Sequence, residues 1–163
     1  QGILGMQHDL VGKKLFPYLS EQQQFEVMNS CYVQEVNDIK ESGGVLYHGL
    51  EETLMALEPK YDLYIVSNCQ AGYIEAFYAY HGLGVYFKDF ECSGNTGLSK
   101  TENIKMIIER NKLSKPIYIG DTLGDYEAAN GNYIPFVFAK YGFGDVPNPV
   151  HIIDKITDLK DLL

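Results

Sequence analysis

The sequence predicts an α/β fold, a parallel sheet with helices on both of its faces, joined to a small helical segment at the start of the chain. Three observations carry that expectation. From Val45 onward, helix-spaced and strand-like apolar patterns alternate, with no internal repeat. The run Ile117-Tyr118-Ile119 is apolar throughout, as a strand covered on both faces would be. Two acids follow it closely, Asp121 after Gly120 and Asp125 after Gly124, at the strand edge where open α/β sheets bind ligands.

Residues 1–44 read as helical and distinct in character from the rest. Leu10, Leu15, Phe16 and Leu19 form a first amphipathic pattern, which Pro17 breaks. Ser20-Glu21-Gln22-Gln23 then reads as a capping box that opens a longer helix. Its apolar positions, Phe25, Val27, Met28, Tyr32, Val33 and Val36, recur at helical spacing up to Lys40, and Ser42-Gly43-Gly44 ends it. The stripe of methionine and aromatic residues reads as core or as the underside of a lid, in preference to a cofactor site.

The alternating region follows from residue 45 to residue 163. Leu50, Leu54 and Leu57 share one face of a short helix that stops before Pro59. Tyr61–Val66 is a strand running straight into Ser67-Asn68-Cys69, and a helix follows with Ile74, Phe77 and Tyr78 inward and Gly82 past its end. Phe87–Cys92 is a short strand and Ser93–Gly97 a loop. Ser99-Lys100-Thr101-Glu102 is a second capping box, so a helix begins at Lys100 with Ile104, Ile107 and Ile108 facing the core. After the acids, Tyr133–Ala139 forms a strand in which Pro135 marks an edge or an irregular start. Tyr141–Gly144 is a turn-rich loop. Val150–Ile153 is a last short strand, and Thr157–Leu163 a terminal helix.

Composition narrows the function. A chain of 163 residues is long enough for one domain with a real core and a small appendage. Its net charge of −9, from 13 basic and 22 acidic residues, argues against nucleic acid or an anionic membrane surface as partner. No apolar run approaches the roughly 20 residues of a membrane span, and no signal peptide is visible. Cys31, Cys69 and Cys92 are odd in number and widely spaced without a CxxC, which predicts reduced thiols in a cytoplasmic protein and not a zinc site. His8, His48, His81 and His151 share no metal-ligand spacing.

Four positions carry chemistry. Asp121 and Asp125, at a strand end and the loop after it, can share a hard cation such as Mg²⁺. The alternative is a solvated loop acid and a helix cap. Ser67, a hydroxyl at a strand's carboxyl end ahead of a helix N-terminus, suits a phosphate oxygen, or else simply caps that helix. Lys100 sits in the first turn of its helix, where the macrodipole disfavours a cation by a few tenths of a kcal/mol. That position makes sense when a nearby anion needs it. Lys112 and Lys115 lack this argument and read as surface residues.

Ser67, Lys100, Asp121 and Asp125 occur in that order on alternating elements, and this resembles the haloacid dehalogenase (HAD) superfamily. Ile65-Val66-Ser67-Asn68 is similar to its second motif, Lys100 to its third, and Gly120-Asp121-Thr122-Leu123-Gly124-Asp125 to its fourth. The likeness covers roughly residues 45–145, on a Rossmann-like core of 45–163. Residues 1–44 resemble part of the family's small helical cap. Each motif is weak alone; together and in order they are fairly specific. The resemblance implies phosphoryl transfer through an aspartyl-phosphate on a small soluble phosphate ester. Ser67 and Asn68 would bind the phosphoryl group, Lys100 would neutralise its charge and orient the nucleophile, and Asp121 would ligate Mg²⁺ with Asp125 as ligand or support. GDTLGD favours the phosphatases, of the phosphoglycolate-phosphatase type, over the family's mutases and dehalogenases.

One departure stands out. The family's nucleophile lies in a DxDx[TV] motif ending a first, central strand, and the ten Asp residues here include no D-x-D pair. The chain as given begins at Gln1, inside the cap-like segment. The expectation is that this first strand and the first cap helix belong to sequence not included here. A separate segment could supply the strand instead, or the protein could be a remnant that has closed the gap. The competing readings are a non-catalytic module that keeps the phosphate pocket, and a phosphomutase of the same superfamily. A dinucleotide-binding domain is weak because no G-x-G-x-x-G follows any strand.

Overall fold

A computed structural model of the chain describes residues 2, 3 and 5–163. The first helix, α1, spans His8–Leu15, and α2 spans Glu21–Ser42. The capping box at Ser20 forms as the spacing predicts, with the Ser20 hydroxyl accepting from the Gln23 amide and the Gln23 side chain accepting from Ser20. Gly43, at φ 68°, ends α2 in the left-handed conformation. Only part of the expected apolar stripe is covered. Met28 and Val36 are buried, whereas Phe25 is 67% exposed and Val33 about half so.

The alternating region begins with α3 (Leu50–Leu57), β1 (Leu63–Ser67) and α4 (Tyr73–His81). A 3-10 turn leads into β2 (Phe87–Cys92), the range the sequence predicts. The expected loop after it is instead one helical turn, α5 (Ser93–Thr96), before α6 (Lys100–Asn111). Then come β3 (Tyr118–Gly120), α7 (Leu123–Gly131), β4 (Phe136–Ala139), β5 (His151–Ile153) and α8 (Leu159–Leu162). The strand expected from Tyr133 starts three residues late. Tyr133 has φ 57° and is 97% exposed, and Pro135 precedes the ladder.

All strand pairs are parallel, but they form two sheets, β1-β2 and β3-β4-β5. Strand β4 shows why helices cover both faces of the larger sheet. Its four residues are all buried and alternate in direction. Val137 and Ala139 pack with Leu57, Ile153 and Leu159 on the α3 and α8 side. Phe136 and Phe138 pack with Ala129 of α7 and with Val146. Helix α6 lies against β1, β2 and α7 and so joins the smaller sheet to the helix that packs on the larger one. The expectation that β3 is buried on both faces is corrected. Its residues are half-buried and Ile117 is exposed, because no strand pairs along the edge of β3 opposite β4.

Candidate active site

Lys100 and Asp125 form the centre of the site. The second capping box holds the start of α6, with the Ser99 hydroxyl accepting from the Glu102 amide and the Glu102 carboxylate accepting from Ser99. This fixes Lys100 as the first helical residue. Its ammonium donates to Asp125 Oδ1 at 2.5 Å, in a pair whose side chains are 13% and 6% exposed. The anion that accounts for a lysine at this unfavourable dipole position is therefore the Asp125 carboxylate.

Asp125 Oδ2 accepts from the amide of Asp121 at 3.1 Å, the amide of Thr122 at 3.0 Å and the Thr122 hydroxyl at 2.7 Å. Burial pushes this carboxyl up, but the charge and hydrogen bond of Lys100, with those of Thr122, outweigh it and hold Asp125 below the ordinary carboxylate range. Thr122 and Asp125 also cap α7 reciprocally. Both oxygens are engaged, so Asp125 holds Lys100 and the strand-to-helix turn and does not face outward to a cation. Gly120 permits this packing, since a Cβ there would lie 2.4 Å from Asp125 Cβ.

Asp121 stands past the tip of β3, half-buried. One carboxylate oxygen accepts from the Phe143 amide at 2.7 Å, and its carbonyl accepts from the Gly144 amide. The loop after β4 lies directly on it, and a Cβ at Gly142 would come within 2.2 Å of Asp121 Cβ. Its other carboxylate oxygen has no hydrogen-bond partner among the described residues.

Ser67 ends β1; its hydroxyl oxygen accepts from the Cys69 amide at 3.1 Å, and the Cys69 sulfur lies close enough to take its proton. Asn68 is already engaged. It donates to Gly5 O at 2.6 Å and accepts from the Ser93 hydroxyl at 3.0 Å. Gly72 caps α4 without a side-chain acceptor, so no side chain covers the amides of that helix start.

The two halves of the site meet through a residue that sequence reading missed. The Tyr118 hydroxyl lies 3.0 Å from Val66 O, next to Ser67, and 3.5 Å from Asp125 Oδ1. The tips of β1 and β3 and the start of α6 therefore adjoin. Residues 5–7 cross this mouth. Gly5 touches both Asn68 and Thr122, and Gln7 donates to Ser93 and Leu98. A cleft of about 370 Å³ opens nearby, lined by His8, Lys13, Gln24, Met28, Tyr32 and Gln70 among others.

Mg²⁺ takes one or two carboxylates, with waters and phosphate oxygens completing an octahedron. The free oxygen of Asp121 fits one corner of such a shell. No group of three or more His, Cys, Asp or Glu residues that could hold a metal occurs among the described residues. The residues present fit the ion as part of its shell.

Ser67 at the tip of β1 and the Lys100–Asp125 pair beside Asp121 thus stand at adjoining ends of parallel strands. The profile of the haloacid dehalogenase-like hydrolases matches residues 7–139, and the chain belongs to that family. No curated protein matches it. Among solved structures, a haloacid dehalogenase-like family hydrolase from Streptococcus pneumoniae superposes with a TM-score of 0.82 at 20% identity, covering 99% of this chain and 78% of that one. A predicted phosphatase from Clostridium acetobutylicum gives 0.81 at 20% identity, covering 98% and 78%. A predicted phosphoglycolate phosphatase from Haemophilus somnus gives 0.79 at 20% identity, with the same coverage. At these identities the likeness is one of fold. Among the described residues, no helix is long and apolar enough to cross a membrane.

Proposed function

We propose that this chain is the cap and most of the catalytic core of a cytoplasmic, Mg²⁺-dependent phosphatase acting on a small soluble phosphate ester. The observation that carries the proposal is the buried Lys100–Asp125 pair at the tip of β3, linked through Tyr118 to the β1 tip that bears Ser67. In this reading residues 1–44 screen the substrate and residues 45–163 carry the chemistry.

The Ser67 hydroxyl donates to a phosphoryl oxygen, a stronger acceptor than the Cys69 sulfur beside it. Lys100 gives one N–H to Asp125 and keeps two donors for the substrate and for the nucleophilic carboxylate. Asp125 keeps Lys100 aimed. Asp121 holds the cation, with Asp125 in support behind it. When bound, Mg²⁺ neutralises developing charge on the phosphoryl oxygens. Asn68 reaches the substrate only after giving up Gly5 or Ser93, so it is secondary to Ser67.

The nucleophilic aspartate comes from a further strand that pairs with β1 and β3, which share no ladder here, and takes over Val66 O from the Tyr118 hydroxyl. Strand edges with open N–H and C=O groups are costly, which favours a strand there. That segment forms the aspartyl-phosphate, and water then releases phosphate. A second reading, a phosphate-binding module without turnover, is favoured by one fact, the absence of any D-x-D pair in these 163 residues. Hydrolysis of p-nitrophenyl phosphate by the complete gene product, with Mg²⁺ and with chelator, separates the two. Turnover only with Mg²⁺ supports the phosphatase; phosphate binding without turnover supports the module.

A further inference from the structure

Cys69 and Cys92 take no part in the chemistry above, yet the fold presses them together beside it. Cys92 ends β2 with no exposed surface and lies opposite Ser67 in the β1–β2 ladder. Cys69 stands two residues beyond Ser67 and is half-buried. Its carbonyl accepts from the Gly94 amide at 3.0 Å, and Gly94 packs so closely on this turn that a Cβ there would sit 2.2 Å from Ala71 N. The two thiols share a hydrogen bond. Cys31 is exposed on α2.

We propose that Cys69 and Cys92 are a peroxide-oxidised dithiol whose disulfide ties the Ser67–Cys69 turn to the end of β2 and impairs phosphate binding there. The second half rests on the role given to Ser67; the disulfide itself does not. The Cys69 thiol donates to Cys92, which favours the Cys92 thiolate, and the amides of Asn95 and Gly94 add to this. The same bond, with burial, keeps Cys69 protonated. Cys92 is thus the nucleophile and Cys69 the resolving thiol.

In the first step the Cys92 thiolate attacks one oxygen of hydrogen peroxide. The S–O bond forms, the O–O bond breaks, and hydroxide leaves. In the second, Cys69 sulfur attacks Cys92 sulfur. The S–S bond forms, the S–O bond breaks, and the hydroxyl departs with the Cys69 proton as water. Two thiols are oxidised and one peroxide is reduced to two waters.

The consequence follows from the hydrogen bonds of the turn. The Cys69 amide is the group that holds Ser67 Oγ, and Ser93, adjoining Cys92, holds Asn68. A covalent link between Cys69 and Cys92 shifts both contacts.

The test is non-reducing peptide mapping of the protein after hydrogen peroxide treatment and thiol blocking. The expected result is a Cys69–Cys92 linked peptide within one chain, lost with dithiothreitol, absent in Cys69→Ser and unchanged in Cys31→Ser. The wild-type map decides even where a Cys92→Ser core change weakens the fold. The proposal is overturned when both thiols stay open to alkylation under peroxide, or when disulfides form only through Cys31 between chains. In a preparation that hydrolyses p-nitrophenyl phosphate, oxidation removes most of the turnover and dithiothreitol restores it. A disulfide that leaves turnover unchanged overturns the link to the site. Absence of turnover in the reduced protein counts against the phosphatase reading instead, and the peptide map then still decides the thiol chemistry.

Discussion

The hydroxyl of Tyr118, on β3, lies 3.0 Å from the backbone carbonyl of Val66, on β1, although the two strands share no ladder. A side chain does here what backbone groups do between paired strands. The same hydroxyl touches Asp125, so one buried group joins the strand that positions Ser67 to the pair that positions Lys100. Burial, with the nearby Asp125 carboxylate, pushes the Tyr118 phenol well above its ordinary value, and it stays a neutral donor at any working pH.

Tyr118→Phe therefore leaves Val66 O short of the donor that the Tyr118 hydroxyl supplies. Urea denaturation is expected to show a loss of about 1–2 kcal/mol. Unchanged stability would mean the hydroxyl does not join the two sheets energetically.

Lys100→Ala leaves the Asp125 carboxylate buried without its counter-charge, and breaking a buried pair this way costs about 3 kcal/mol. Asp125→Asn is expected to destabilise similarly, because the Lys100 ammonium then loses its anion. A double-mutant cycle read by denaturation checks the coupling, and additive losses would contradict a direct pair.

Ser67 is the contrasting case. Its oxygen accepts one local amide and its proton meets only the weak sulfur acceptor of Cys69, so Ser67→Ala is expected to change stability by only about 0.5 kcal/mol. Phosphatase turnover is expected to fall about 100-fold in the same variant. A large stability loss with intact turnover would assign Ser67 a role in holding the turn alone.

Arg110 clamps α6 to β2, donating to Asp89 at 2.9 Å and to the buried Glu91 at 3.0 Å. Burial pushes the Asp89 carboxyl up, but hydrogen bonds from Asn111, the Phe90 amide and Arg110, with the Arg110 charge, hold it below its ordinary value. The folded state thus binds the proton less readily than the unfolded chain. The stabilisation is complete above the ordinary carboxylate range near pH 4 and is lost as pH falls through the depressed value. The melting-temperature gap between wild type and Asp89→Asn is expected to be full at pH 7 and to close in acid. A constant gap would remove the ionic contribution.

How legible all this was in the sequence varies by element. The capping boxes at Ser20 and Ser99 and the strand Phe87–Cys92 could be read directly, because their signals are local. Asp121 at a strand tip was legible for the same reason. The role of Asp125 was half-legible. Thr122-x-x-Asp125 has capping-box spacing, yet two nearby acids drew attention to a cation first. Tyr118 was not legible, since an aromatic in a strand reads as core and its hydroxyl's partner is 52 positions away in the chain. Gly142, needed for close approach to Asp121, also depends on tertiary packing alone.

The central claim is that Asp121, on the tip of β3 beside Lys100 and Asp125, holds a catalytic Mg²⁺ against a phosphate ester. The direct measurement is Mg²⁺-dependent hydrolysis of p-nitrophenyl phosphate by the complete enzyme, wild type against Asp121→Asn, with circular dichroism confirming that both are folded. The account predicts loss of most of the turnover in the variant, with chelator removing it from the wild type. Turnover unchanged in Asp121→Asn would contradict the account.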